Sequence, residues 1–140
     1  MNPSSIVDKM MQADLFSQWL GVEILDIKEG YSKIKMLIRK EMVNGFGMLH
    51  GGVAFSLADS AFSFASNNRN YISLALDASI TLTKPTWPGD VLTAEATELH
   101  NGRSTGLYSV TISNQNNEQV ALFKGVCFRT GEALLGQQGL

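Results

Sequence analysis

Cysteine is almost absent from this chain. The single Cys127 excludes an intramolecular disulfide, and its place in the apolar run Val120 to Phe128 reads as a buried thiol rather than a nucleophile. A reducing compartment, by default the cytoplasm, is the expectation. Proline occurs only at positions 3, 85 and 88, so no proline-rich linker divides the chain, and residues 1–140 are expected to form one domain. Charge is sparse, and a net charge of −2 supplies no basic field for nucleic acid. No apolar run reaches the length of a membrane span, because Arg69 ends the longest one and Asp59 and several glycines interrupt it. Met1 to Leu20 lacks the basic-then-apolar order of a signal peptide. Neither nucleic acid nor membrane is therefore an expected partner. Two histidines and one cysteine, with no CxxC or HExxH spacing, furnish no metal site, and no metal is expected.

What the chain does hold is concentrated in Asn44 to Asn67, NGFGMLHGGVAFSLADSAFSFASN. The first part is glycine-rich and carries His50. The second runs without Gly or Pro and reads as a helix of about four turns, Gly52 to Asn67. Ala54, Ala58, Ala61 and Ala65 share one helical face, while Phe55, Leu57, Phe62 and Phe64 fill the neighbouring ones. A helix so apolar is expected to be buried nearly all round. Between Met42 and Asn68 its only formal charge is Asp59. A carboxylate in such surroundings must accept hydrogen bonds or hold a proton with a raised pKa, and Ser56, Ser60 and Ser63 are candidate donors.

The flanking segments supply strands. Ser4 or Ser5 can cap a short helix ending near Ala13. Trp19 to Ile27 leads into a first strand, and a turn at Glu29-Gly30 joins it to Tyr31 to Ile38. After the long helix, Ile72 to Thr83 alternates as a strand, ended by Lys84-Pro85 and Pro88-Gly89-Asp90. Val91 to Leu99, Thr105 to Ser113 and Gln119 to Phe128 follow as a meander turned at Asn101-Gly102 and Asn116-Asn117, and Gly131 to Leu140 reads as a frayed tail. One long helix among antiparallel strands is an α+β arrangement, and a helix apolar on most faces asks for a strongly curved sheet around it.

Asn44-Gly45-Phe46-Gly47, His50-Gly51-Gly52, Asp59 on the helix, the strand ending Lys84-Pro85, Pro88-Gly89-Asp90 and the Asn101-Gly102-Arg103-Ser104 turn together resemble the hotdog-fold thioesterases, in the branch typified by the phenylacetate-pathway enzymes. The likeness spans nearly the whole chain. It implies a hotdog fold and hydrolysis of acyl-coenzyme A carrying an aryl-acetyl or medium-chain acyl group. Coenzyme A enters as part of the substrate, with no separate cofactor. Asp59 matches the family's nucleophile or general base, and Gly51, with Gly52 beside it, matches the glycine whose N–H polarises the thioester carbonyl. His50 is expected to support the carbonyl site and Asn44 to orient the acid or the water. A hydroxyl one turn past the acid would be Ser63, and one from the next strand would be Ser73. Lys84 and Arg103 become candidates for the coenzyme A phosphates. The family also implies a homodimer, paired into a homotetramer.

Negative charge grows on the carbonyl oxygen during thioester hydrolysis, and free N–H groups at a helix N-terminus suit it. A poorly solvated carboxylate is a good base for the water. Gly51 and Asp59, however, are eight residues apart, roughly 12 Å along a helix axis, too far to act on one carbonyl. The acid must then come from a second subunit whose helix runs antiparallel, giving two equivalent sites per twofold dimer. The alanine face fits close helix contact and close helix-on-sheet packing equally. Plainer readings stand beside these: His50 as a backbone-bonding loop residue, the glycines as turn formers, Phe55, Phe62 and Phe64 as core, Lys84 and Arg103 as solvated charges. A hotdog hydroxyacyl thioester dehydratase and a noncatalytic acyl-coenzyme A binding module are the alternative functions. In the former, the acid and histidine occupy other positions.

Overall fold

The structure is a computed structural model that describes residues 2–136. Helix α1 (Pro3–Ala13) is capped by Asn2, whose side chain accepts the Ser5 N–H at 2.8 Å. Neither Ser4 nor Ser5 serves as the cap, because Pro3 takes the first helical position, where its missing N–H and fixed φ are tolerated. Trp19 does not lead into a strand. Leu15–Leu20 forms a second helix, α2, capped by Asp14 and closed by Gly21 at φ 80°, a left-handed conformation that suits glycine. Strands β1 (Glu23–Lys28) and β2 (Tyr31–Leu37) make the expected hairpin across Glu29-Gly30.

A one-turn 3-10 helix at Lys40–Met42 and a loop bridged at Val43 and Leu49 lead into α3 (Gly51–Asn67). Then come β3 (Tyr71–Leu82), β4 (Val91–Asn101), β5 (Thr105–Ser113) and β6 (Gln119–Ala133). All pair antiparallel in the order β1-β2-β4-β5-β6-β3. The tail expected to fray from Gly131 instead begins inside β6. The twelve-residue edge strand β3 needs a partner along its length, and Arg129 and Ala133 sit opposite Ser73 and Tyr71. Beyond it, Leu134 N–H donates to the Asn70 carbonyl and Leu135 N–H to the Asn70 side chain. The last part of that expectation, 137–140, lies outside the described residues.

Alternation along β2, β4 and β5 puts Ile34, Met36, Leu92, Ala94, Tyr108 and Ile112 on one concave face, all buried against α3 in a continuous core. This is the expected hotdog roll. The α3 alanines belong to that core, so their close-packing face is occupied by the sheet within one chain. Ser32 Oγ donates to the Ala61 carbonyl at 2.6 Å, a strand side chain reaching a helix backbone. Phe62 packs against Tyr108 and Phe123, at 5.6 and 5.7 Å between ring centroids. Below it a Cβ on Gly125 would lie 2.9 Å from the ring, so the close approach requires glycine. The helix is not buried all round. A sheet covers one side of a cylinder, and Gly52, Ser56, Asp59 and Ser63, at helical spacing, remain partly exposed on the other.

A charged network closes the end of the roll near the α3 C-terminus. Arg69 grips Glu98 with two hydrogen bonds of 2.5 and 2.9 Å and reaches Glu29 with its Nε. Tyr108 Oη donates to Glu98 at 2.6 Å. Arg129 donates to Asn101 Oδ1, Ser73 Oγ, the Ser66 carbonyl and Tyr108 Oη. Helix α3, strands β3 to β6 and the β1–β2 turn meet there. The Arg69 hydrogen bonds hold the Glu98 carboxyl below its usual range against the opposing effect of burial, while burial and Glu98 push the Tyr108 phenol up to about 12.

Because the folded value of Glu98 is lowered, its contribution is complete above the ordinary Glu range and lost as pH falls through the lowered value. Glu98→Gln should therefore cost about 2 kcal/mol at pH 7, since it strips a shielded ion pair of its charge. In urea titrations the gap from the parent should shrink on acidification.

Candidate active site

The loop before α3 is shaped by Asn44. Its Oδ1 accepts the N–H of Phe46 at 2.8 Å and of Met48 at 3.2 Å. Gly47 sits at φ 80°, where a β-carbon would strain the turn. His50 is the N-cap of α3, and its Nδ1 accepts the Gly52 N–H at 2.9 Å. In this geometry Nδ1 carries no proton. The Val53 and Ala54 N–H groups both go to the His50 carbonyl. Of the first four N–H groups of the helix, only that of Gly51 has no acceptor among the described residues. The N–H of Gly52, the site residue expected beside Gly51, is thus engaged by His50.

Gly51 opens into a cleft of about 290 Å³ whose walls include Asn44, Met48, Leu49, Leu82, Lys84 and Thr86. A free donor N–H at the positive end of a long helix dipole can hold a developing oxyanion there. The Asn44 amide nitrogen makes no hydrogen bond among the described residues, and it is the part of that side chain left to act.

Asp59 lies in a different cleft, of about 230 Å³, lined by Asp14, Phe16, Ser17, Phe55, Ser60 and Ser63 among others. The three serines do not donate to it. Ser56 Oγ turns back to the Gly52 carbonyl at 2.8 Å, as helical serines do, and Ser60 Oγ meets Ser17 Oγ at 2.8 Å. Ser63 shares the cleft without bonding the carboxyl. With no donor among the described residues, Asp59 has its pKa raised, first by burial and then by the charge of Asp14. Ser73 belongs elsewhere, since it is buried in the Arg129 network. Of the two hydroxyls expected to orient the water, Ser63 shares the cleft of the acid and Ser73 does not.

The basic candidates separate. Lys84 is at the Gly51 cleft but pairs with Glu118 at 2.6 Å. Arg103 has no ion pair or hydrogen bond among the described residues and borders a third cleft, with Arg69, Arg129, Tyr71 and Asn101. These clefts lie at the two ends of β3, up to roughly 35 Å apart at the rise of an extended strand. One protomer cannot close both residues on one phosphate. Sequence reading missed Asp14, Phe16 and Ser17 at the Asp59 cleft. The available signal was an N-cap aspartate and a glycine bracketing Leu15 to Leu20.

Among the described residues no helix is long and apolar enough to cross a membrane, and no group of three or more His, Cys, Asp or Glu could hold a metal ion. Residues 46–121 match the model of the thioesterase superfamily. The acyl-coenzyme A thioesterase PaaI of Escherichia coli K12 is 38% identical over 91% of this chain and 91% of its own. The structure of the E. coli PaaI protein from the phenylacetic acid degradation operon superposes with a TM-score of 0.92 at 36% identity, covering 94% of this chain and 95% of that one. A hypothetical thioesterase protein from Streptococcus pneumoniae TIGR4, crystallised with coenzyme A, gives a TM-score of 0.77 at 28% identity over 80% and 90% of the two chains.

A raised carboxyl pKa in the fold means that ionising Asp59 opposes folding. Its effect on stability is absent below the ordinary Asp range and appears as a loss while pH rises through the raised value. Asp59→Asn should match the parent near pH 4 and be more stable at pH 7, as measured by urea denaturation at fixed protein concentration. A structural aspartate would give the opposite sign.

Proposed function

The chain belongs to the thioesterase superfamily, and from that premise we propose that it hydrolyses acyl-coenzyme A thioesters to the free acid and coenzyme A. The observation that carries this reading is the pairing of one unclaimed helix N-terminal N–H, on Gly51, with one carboxyl of raised proton affinity, on Asp59. The relatives named above act on or hold the same cofactor-bearing class of ligand. The acyl group is aryl-acetyl or medium-chain.

The Gly51 N–H polarises the carbonyl. The ionised Asp59 of a second protomer takes a proton from water while the water oxygen attacks the carbonyl carbon, or attacks that carbon itself. The carbon–sulfur bond then breaks: along the first route Asp59 passes its proton to the departing thiolate, and along the second the thiolate leaves an acyl–Asp59 anhydride and takes its proton from the water that hydrolyses that anhydride, giving the free acid and restoring Asp59. Ser63, beside Asp59, orients the water, and the Asn44 amide orients the acid. His50 fixes the donor by occupying Gly52. A homodimer is required because the two groups are roughly 12 Å apart on one helix. The outer edge of β3 supports such pairing: it is a long edge strand with Leu74 and Leu76 exposed, the kind of edge that recruits another strand. Pairing of dimers into a homotetramer follows the family pattern.

Free-thiol release from a panel of acyl-coenzyme A esters tests the reading. Turnover without thiol release would make the protein a dehydratase, and binding without turnover a noncatalytic module. Asp59→Asn should lower kcat about a hundredfold or more with little change in affinity. Gly51→Pro deletes the donor at a helix position that accepts proline. Mixed with Asp59→Ala chains it should restore about a quarter of parental activity, since half the dimers are mixed and each holds one intact site. No restoration after verified exchange would remove the shared site.

The phosphates of coenzyme A are assigned first to Arg103, which is unpaired, and second to Lys84, which Glu118 partly neutralises. Arg103→Ala should raise KM several-fold with kcat retained and weaken its salt dependence, and Lys84→Ala should do less. KM values unmoved by either change and by salt would return both to solvated charges.

A further inference from the structure

Helix α2 does more at the Asp59 cleft than close it. Asp14, its N-cap, accepts the Ser17 N–H at 2.9 Å through Oδ1 and the Ser17 hydroxyl at 2.6 Å through Oδ2. Ser17 is 1% exposed, and its Oγ lies 2.8 Å from that of Ser60. Since the Ser17 proton is directed to Asp14, Ser60 must donate to Ser17. A directed chain of two hydroxyls therefore runs from the residue next to Asp59 back to the Asp14 carboxylate, which lines the same cleft.

The two carboxyls receive opposite treatment. Asp14 collects two donors, while Asp59 has none among the described residues and feels the charge of Asp14. We propose that Asp14 is a positioning residue for the reaction, a second carboxylate that the Ser17 and Ser60 hydroxyls hold in the cleft of Asp59 so that its charge bears on the reacting group. This rests on the reading of Asp59 as the reacting carboxylate. Among the described residues no other titratable side chain lines the cleft, and no strand contributes to it. On α1, Asp8 and Lys9 are exposed and outside the cleft, and on α3 the nearest ionisable group is His50, more than two turns away.

The test is Asp14→Asn, which keeps an N-cap of equal quality, read by carbon-13 NMR titration of the Asp59 carboxyl and by the pH profile of kcat/KM. Both the titration and the acid limb of the profile should move to lower pH by the same amount. Ser60→Ala, which loosens the chain but leaves the cap, should move them less in the same direction, and Asp8→Asn should leave them in place. Should Asp14→Asn lose α2 by circular dichroism, Ser60→Ala carries the test. An unmoved Asp59 titration in a folded variant overturns the proposal and leaves the Asp59 assignment standing. A titration that moves without the acid limb shows that Asp59 is not the reacting base and overturns both.

Discussion

The rest of the structure depends on burying one nearly uncharged helix. With Ala58, Ala61, Phe62, Phe64 and Ala65 all inside, α3 gains its stability from the sheet, and the sheet must bend to reach it. Small residues make the bend close: Ala94 and Ala96 on β4 and Gly125 on β6 leave room for helix backbone and the Phe62 ring. A single curved layer nevertheless covers only one side of a cylinder. The uncovered stripe is where the chain carries Gly52, Ser56, Asp59 and Ser63. Position on that stripe, more than any special local structure, is what makes the acid reachable.

One helix then carries both of the groups proposed to act. Its first N–H is left unclaimed because His50 takes the second and supplies its own carbonyl to the third and fourth. Had a serine or aspartate capped the helix in the usual way, its side chain would also have taken an N2 or N3 donor. Two turns on, the carboxyl is raised by burial and by Asp14. The distance between donor and acid is fixed by helix pitch and cannot be shortened by loop motion, which is why the proposed reaction calls on a second protomer.

The long elements were legible in the sequence. Period-2 alternation and turn residues located β2 through β5 within one or two residues, and an apolar run free of Gly and Pro located α3 after its first residue. The reasons for the misses differ. Six residues in α2 are too few for helical periodicity, and exposed Leu15, Phe16 and Trp19 imitate the start of a strand. The extension of β6 past Phe128 depends on the length of β3, a nonlocal fact. At the site, the residue types around Asp59 were legible but their bonding was not. Ser56 and Ser60 satisfy a carbonyl and another serine, choices set by α2 and the helix backbone. Lys84 and Arg103 were both visible as cations, while their separation along β3 required the register.

The distribution of charge suits Asp59 to the base role proposed for it. Glu98 is surrounded by Arg69, Arg129 and the Tyr108 hydroxyl, and its carboxyl is held low. That network binds α3, β3 to β6 and the β1–β2 turn at the C-terminal end of α3, where stability is the gain. Asp59, in the same protein, has neither cation nor donor among the described residues, and its neighbour is another carboxylate. An ion pair like that of Glu98 would make Asp59 a weaker base, because the partner stabilises the carboxylate relative to the protonated form. Keeping arginine at one end of the roll and serine with aspartate along the open helix stripe therefore separates two incompatible tasks, fixing the sheet and accepting a proton.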